Sequence, residues 1–177
     1  MRNCLILILI SFLSIACKNN DKQMPIATEN SIIETPSKKL TINFTFKTNK
    51  ADIFKIMMNN IEVDDLQKKN IQIFEEVIPT TQKDAIVAEF DANNISRNII
   101  IDFGSKELKE VEIMSISVSY GNNHFSFDTA KEFDKYFAYN RFIEKEEDSK
   151  ILKTKKVDGK HYPAITLRQN LINLLKK

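Results

Sequence analysis

A chain of 177 residues and 20.5 kDa, 42% of it apolar, has room for one domain of ordinary size with its own core, plus appendages. Lys plus Arg number 26 and Asp plus Glu 24, a formal +2 that argues against nucleic-acid binding. Three glycines leave no loop for cradling a phosphate or dinucleotide, and two histidines with two cysteines argue against a His/Cys metal cluster.

Residues 1–17 read as a targeting segment. Arg2 is the positive n-region, and Cys4 to Leu13 (CLILILISFL) is ten residues without a charge. A membrane span needs roughly 20 apolar residues, so a secretory h-region fits better than a permanent span. The small residues Ser14-Ile15-Ala16 then precede Cys17. Leu13-Ser14-Ile15-Ala16-Cys17 resembles the lipobox of bacterial lipoproteins, with Ser14 standing where that family usually has Leu. The resemblance implies cleavage after residue 16, palmitate-type acylation of Cys17, and an anchor in the cell envelope at the outer membrane. Stable anchoring takes two acyl chains, each buried methylene contributing ~0.8 kcal/mol. Lys18 and Asp21 resemble the surface-export signal of lipoproteins from the Bacteroidetes group. With Cys4 removed and Cys17 capped by lipid, the mature domain has no thiol, hence no disulfide and no cysteine nucleophile.

Residues 17–37 read as the lipidated Cys and a flexible tether, punctuated by Pro25 and Pro36; Ile32-Ile33 is the alternative for a first edge strand. The period is two from Leu40 onward, where Leu40, Ile42, Phe44 and Phe46 alternate with polar residues, a half-buried strand. Asp52 to Met58 is a second strand, Asn59 to Asn70 a long polar loop, and Ile71 to Ile78 a third strand stopped by Pro79. Ala85 to Phe90 is apolar on both faces, as a central strand would be. Asn98 to Phe103 is closed by Gly104. Val111 to Tyr120 is the longest strand, and its apolar positions shift parity. That predicts a bulge near Ile113-Met114. Gly121-Asn122-Asn123 turns the chain into His124 to Phe127.

Thr129 and Glu132 form a capping box that opens a short helix near 129–138, carrying Phe133, Tyr136 and Phe137. Strand character resumes at Phe142-Ile143, and Glu144 to Asp148 is a charged turn. Ile151 to Val157 and Pro163 to Arg168 flank Asp158-Gly159, a hairpin signal. Leu171 to Leu175 fits a closing helical turn as well as a strand. Eight or nine short antiparallel strands in residues 38–177 point to an all-β fold, a β-sandwich.

Ile86-Val-Ala-Glu-Phe90, Asn98-Ile-Ile-Ile-Asp-Phe-Gly104, Val111-Glu-Ile-Met-Ser-Ile-Ser117, Tyr136-Phe137 and Asn140 follow one another in a pattern that resembles galactose-binding-like jelly-roll domains. It covers about a third of the chain and consists mostly of core positions. The resemblance implies an accessory, non-catalytic, carbohydrate-binding sandwich. Arg97 is displaced from the place where that pattern often carries an Arg.

Sugar binding wants an aromatic platform with amide and carboxylate partners. Two loops offer candidates: Tyr120, Asn122, Asn123 and His124 on one, Tyr139, Asn140 and Arg141 on the other. Asn and Gly are also ordinary turn residues, and Trp is missing. For calcium, Asp64-Asp65 and Asp91 with Asn93 and Asn94 lack EF-hand spacing and read as solvated loops. His124, Ser126 and Asp128 alternate onto one strand face, a solvated face rather than a catalytic triad. His161, beside Tyr162-Pro163, reads as a loop residue. Lys145 to Lys177 carries nine Lys plus Arg against four acids, the mark of solvated edges, with anionic lipid or glycan phosphate as the alternative. The expectation is therefore a lipid-anchored envelope module, without catalysis, metal or cofactor. Its partner would be the membrane together with a surface glycan or, alternatively, another envelope protein.

Overall fold

Residues 38–91 and 94–177 are described by a computed structural model of the chain. The targeting segment, Cys17, the tether with Ile32-Ile33, and Asn93 lie outside these residues.

The first strand, β1 (Lys39–Thr48), does what its alternation demands: Leu40, Ile42, Phe44 and Phe46 are fully buried and the residues between them face outward. β2 (Asp52–Glu62), β3 (Lys68–Val77), β4 (Asp84–Asp91), β5 (Asn98–Asp102), β6 (Glu110–Tyr120) and β7 (Asn123–Phe127) follow. Next come α1 (Ala130–Tyr136), β8 (Phe137–Tyr139), β9 (Ile143–Lys145), β10 (Ile151–Thr154), β11 (Ala164–Leu167) and α2 (Gln169–Leu175). The strands form two antiparallel sheets. One runs β4-β1-β6-β10-β9 with β7 also on β6; the other runs β3-β2-β5-β11-β8. This is an all-β sandwich. The chain stays within a sheet only at the β2–β3, β6–β7 and β9–β10 hairpins and otherwise changes sheet at each step. That alternation closes a single core between the layers.

The core is aromatic at one end. Phe44 stacks on Phe46 with centroids 4.7 Å apart, Phe46 meets Phe54 at 5.1 Å, and Phe54 meets Phe103 edge-on at 5.5 Å. A second cluster seats the first helix: Phe127 lies 4.7 Å from Tyr136, and Phe137 meets both Phe127 and Phe133 edge-on. The capping box forms as expected, with Thr129 accepting from the Glu132 amide and Glu132 reaching back. The bulge falls where the parity shift places it. Thr45 pairs with Ser115 and Phe46 with Ile113, leaving Met114 as the extra residue.

Several sequence readings are corrected. The described residues form eleven strands where eight or nine were expected; the one with no counterpart in the sequence reading is the short β8, whose residues read as the end of the helix. The helix read near 129–138 ends at Tyr136, because Phe137 to Tyr139 pairs with β11. The tail resolves as a second helix, burying Leu171, Ile172 and Leu175. Asn59 to Asn70 is not a long loop. β2 continues to Glu62 through a bulge at Asn59-Asn60, where Asn60 takes φ +56° and its amide is held by Asn70 Oδ1 at 2.8 Å. β4 is an edge strand, not a central one, and its Val87 faces solvent. Asp158-Gly159 joins no hairpin of β10 and β11, which lie in different sheets. It makes a local turn with both residues at positive φ, closed by the Val157–Lys160 bridge.

Candidate functional site

β6 runs from Val111, opposite Thr48, to Tyr120, opposite Leu40, and so spans the sandwich from one end to the other. Tyr120 to His124 therefore cap the far end. Asn140 and Arg141 lie toward the near end, since the Asn140 amide bonds Ala164 O and Ala164 pairs with Asp102. The two candidate loops are thus separated and do not make one composite site.

Within the first loop, Tyr120 is buried with the Lys38 ammonium 5.6 Å from its ring centroid, and burial raises its hydroxyl above the ordinary value of 10.0. Gly121 takes φ +58° to make the tight turn. Asn122 and His124 are exposed on that hairpin. Asn123 donates its side-chain amide to Leu175 O at 3.2 Å, tying α2 to β7. His124, Ser126 and Asp128 are all exposed, the solvated face that alternation implies.

The second loop is also internally committed. Tyr139 donates its hydroxyl to Asp134 Oδ1 at 2.9 Å, and Lys145 bonds the other Asp134 oxygen at 2.9 Å. Burial first, then the Asp134 hydrogen bond, push the Tyr139 hydroxyl far above its ordinary value. Asn140 donates to Tyr162 O at 2.6 Å and accepts from the Phe142 amide at 3.1 Å. Arg141 lies over Phe142 and reaches Asp158 at 3.4 Å, an exposed pair.

A further cluster at the near end has no counterpart in the sequence reading. Asp52 opens β2, and Lys109 closes the loop between β5 and β6. Their side chains are essentially sealed from solvent, with Nζ to Oδ2 at 2.5 Å. Lys109 Nζ also donates to the carbonyls of Phe103 (2.9 Å) and Gly104 (3.4 Å). Asp52 accepts from the amides of Ile53 (2.8 Å) and Lys106 (3.0 Å). Burial works to raise the Asp52 carboxyl. The Lys109 hydrogen bond, the Ile53 amide, the Lys109 charge and the Lys106 amide together hold it below its ordinary value. The Lys109 backbone is anchored as well, exchanging bonds with Thr154. Gly104 sits against this pair at φ +72°, where a Cβ would lie 2.2 Å from Asp52 Oδ1. His161 is buried beside the same loop, Nδ1 3.2 Å from Ser105 O. With every polar atom of the ion pair partnered, the cluster works as a pin for the 103–109 loop.

The sequence offered one local signal for this pin, Asp102-Phe103-Gly104, whose Asp102 carboxylate accepts the Gly104 amide at 2.8 Å. Lys109 was hidden in a Lys/Glu-rich run that reads as solvated.

Two surface features remain. A cleft of about 480 Å³ lies beside the β2 bulge, lined by Asn60, Glu62, Lys68, Arg97, Asn98 and Lys176 among others. Along and around β3, large apolar side chains stand in solvent: Leu66 (95% exposed), Phe74 (57%) and Ile78 (69%). Of the calcium candidates, Asp64 Oδ1 accepts the Leu66 and Gln67 amides, an ordinary turn. Among the described residues no group of three or more His, Cys, Asp or Glu could hold a metal, and no helix is long and apolar enough to cross a membrane. The basic tail is partly self-neutralised, Lys153 pairing with Glu146 and Lys155 with Glu144. No family model, curated protein or solved structure matches the chain.

Proposed function

We propose that the chain is an exported lipoprotein, anchored through Cys17, whose sandwich is a binding module for another protein of the cell envelope. The anchor rests on the segment from Arg2 to Cys17. The choice of a protein partner rests on a contrast between surfaces. The polar side chains best suited to a sugar, Asn123, Tyr139, Asn140 and Arg141, hold partners within their own chain. Among the described residues, Leu66, Phe74 and Ile78 around β3 stand exposed, large apolar side chains that a partner protein would cover.

Photo-crosslinking residues placed at Leu66 and Phe74 in living cells should give protein adducts, while the same groups at Asn122 and Arg141 should not. Equal yields at all four positions, or none at the first two, would reject the reading. Mass spectrometry of the native polypeptide tests the anchor independently; an unmodified Cys17 would remove it.

A glycan is the second reading, favoured by the polar cleft at the β2 bulge, where amides, a carboxylate and Arg97 converge. A glycan array on the folded chain, repeated with Arg97→Ala, tests it. Binding that Arg97→Ala abolishes would favour sugar over protein.

A further inference from the structure

Among the described residues, two long strands end their sheets with no further strand paired to their outer edge, β3 and β4. Natural sheets protect such edges because unpaired N–H and C=O groups invite another strand. The charges on these two edges are arranged differently. β4 carries acids at both ends, Asp84 and Asp91, with Glu89 between them, so two copies laid antiparallel would set acid against acid. β3 reads Lys68-Lys69-Asn70-Ile71-Gln72-Ile73-Phe74-Glu75-Glu76-Val77. Both bases are at its start and both acids near its end, about a centre at Gln72.

From this we propose that β3 is a self-pairing edge, and that its occupant is the β3 of a second copy, run antiparallel about a twofold axis at Gln72. In that register Lys68 faces Glu76 of the other copy and Lys69 faces Glu75, each pair occurring twice. Ile71 faces Ile73, Asn70 faces Phe74, and Gln72 faces itself. Facing residues share parity, so the half-buried Ile71 and Ile73 meet on the core side while Phe74 and Asn70 meet on the outer side. Opposite charges directly across a ladder stabilise it, and like charges oppose it. A parallel pairing in the same register would put Lys on Lys and Glu on Glu. The pattern therefore selects one closed, isologous dimer over open stacking. The five-stranded sheet of each copy then continues through the axis into one of ten strands.

This names a second copy of the chain, not a different protein, as what pairs with the β3 edge; it rests on the reading above only in taking the β3 side as an interaction face, and it does not depend on the anchor. The test uses the full chain in sedimentation equilibrium. The parent should be a dimer. Lys68→Glu with Lys69→Glu should weaken it roughly tenfold or more, as should Glu75→Lys with Glu76→Lys. Mixing the two double variants should restore association as a heterodimer, because each then presents the complement of the other. A second measurement guards against misfolding of the charge variants. Gln72→Cys should oxidise to a disulfide-linked dimer, since facing Cα atoms in an antiparallel pair lie about 4.5–5.5 Å apart. Val87→Cys on β4 should not. A monomeric parent, a mixture that fails to associate, or equal crosslinking at positions 72 and 87 would overturn the proposal. A monomer that instead crosslinks a different protein through Phe74 would overturn self-pairing and leave the interaction reading standing. A monomer that captures nothing would remove both.

Discussion

Lys109→Met removes the ammonium at the centre of the near-end pin with little change in side-chain length. The Asp52 carboxylate then stays buried, keeping two amide donors and losing its counter-charge. Breaking a buried pair from one side costs about 3–5 kcal/mol. The lower part of that range applies here, because the Ile53 and Lys106 amides still bond Asp52. For a domain whose total stability is of order 5–15 kcal/mol, that loss displaces the denaturation midpoint by a large fraction. Urea unfolding of parent and variant measures it, an unchanged m-value showing that the folded state is otherwise intact. The Asp52→Leu, Lys109→Met double variant should be less damaged than Lys109→Met alone, since it leaves no orphan charge. pH gives an independent check. The folded carboxyl is held below its ordinary 3.8, so the pair's contribution is complete above that value and disappears as pH falls through the lower, folded one. The parent should lose stability steeply below about pH 4, and Asp52→Asn should lack that share of the slope. A Lys109→Met cost of about 1 kcal/mol or less, the scale of a surface pair, would refute the pin.

Gly104→Ala and Gly159→Ala separate strain from collision. Both glycines take φ +72°, but only at residue 104 does the added methyl meet Asp52, while residue 159 has open space. Gly159→Ala should cost about 1–2 kcal/mol from backbone conformation alone and Gly104→Ala clearly more, read from paired urea midpoints. Thr129→Ala should destabilise by about 1 kcal/mol through loss of the cap on α1, with equal midpoints for variant and parent counting against the cap. Alkaline spectrophotometric titration should find both Tyr120 and Tyr139 ionising above their ordinary value in the folded chain, Tyr139 by much the more, and both released when it unfolds. Because the unfolded phenols ionise first, stability should fall as pH rises past their ordinary value.

Much of the sandwich was legible because period-two burial writes itself into a strand that has one wet face. β1 is the clearest case, and the parity shift in Val111 to Tyr120 announced the Met114 bulge because a slip without one would have turned core residues outward. The edges were less legible for the same reason in reverse. Lys68 and Lys69 put the start of β3 into the polar stretch that read as loop, leaving only its part from Ile71 onward legible as strand, since an edge strand hides only part of one face. Val87 made β4 look central, although it points into solvent. Asp158-Gly159 carried a true turn signal, yet a local turn does not say whether its flanking strands pair, and here they part to opposite sheets. The candidate loops were legible as turns. That their amides and the Tyr139 hydroxyl are spent on internal partners was not, because Leu175 O, Tyr162 O and Asp134 come from elsewhere in the fold.

The Asp52–Lys109 pin shows why long-range polar contacts escape this kind of reading. The partners are 57 residues apart, and each looks ordinary where it stands: one an acid opening a strand, the other a lysine in a charged run. What sets Lys109 apart from Lys106 is only that the chain folds it beneath Phe103 and Gly104, whose carbonyls it then satisfies. A buried lysine needs several acceptors at once. Two of its acceptors are therefore supplied by the loop that it fixes. Residues 103–109 carry β5 in one sheet to β6 in the other, so the pin ties together the two layers that enclose the aromatic core. Without disulfides among the described residues, which contain no cysteine, that crossing is held by charge and packing alone.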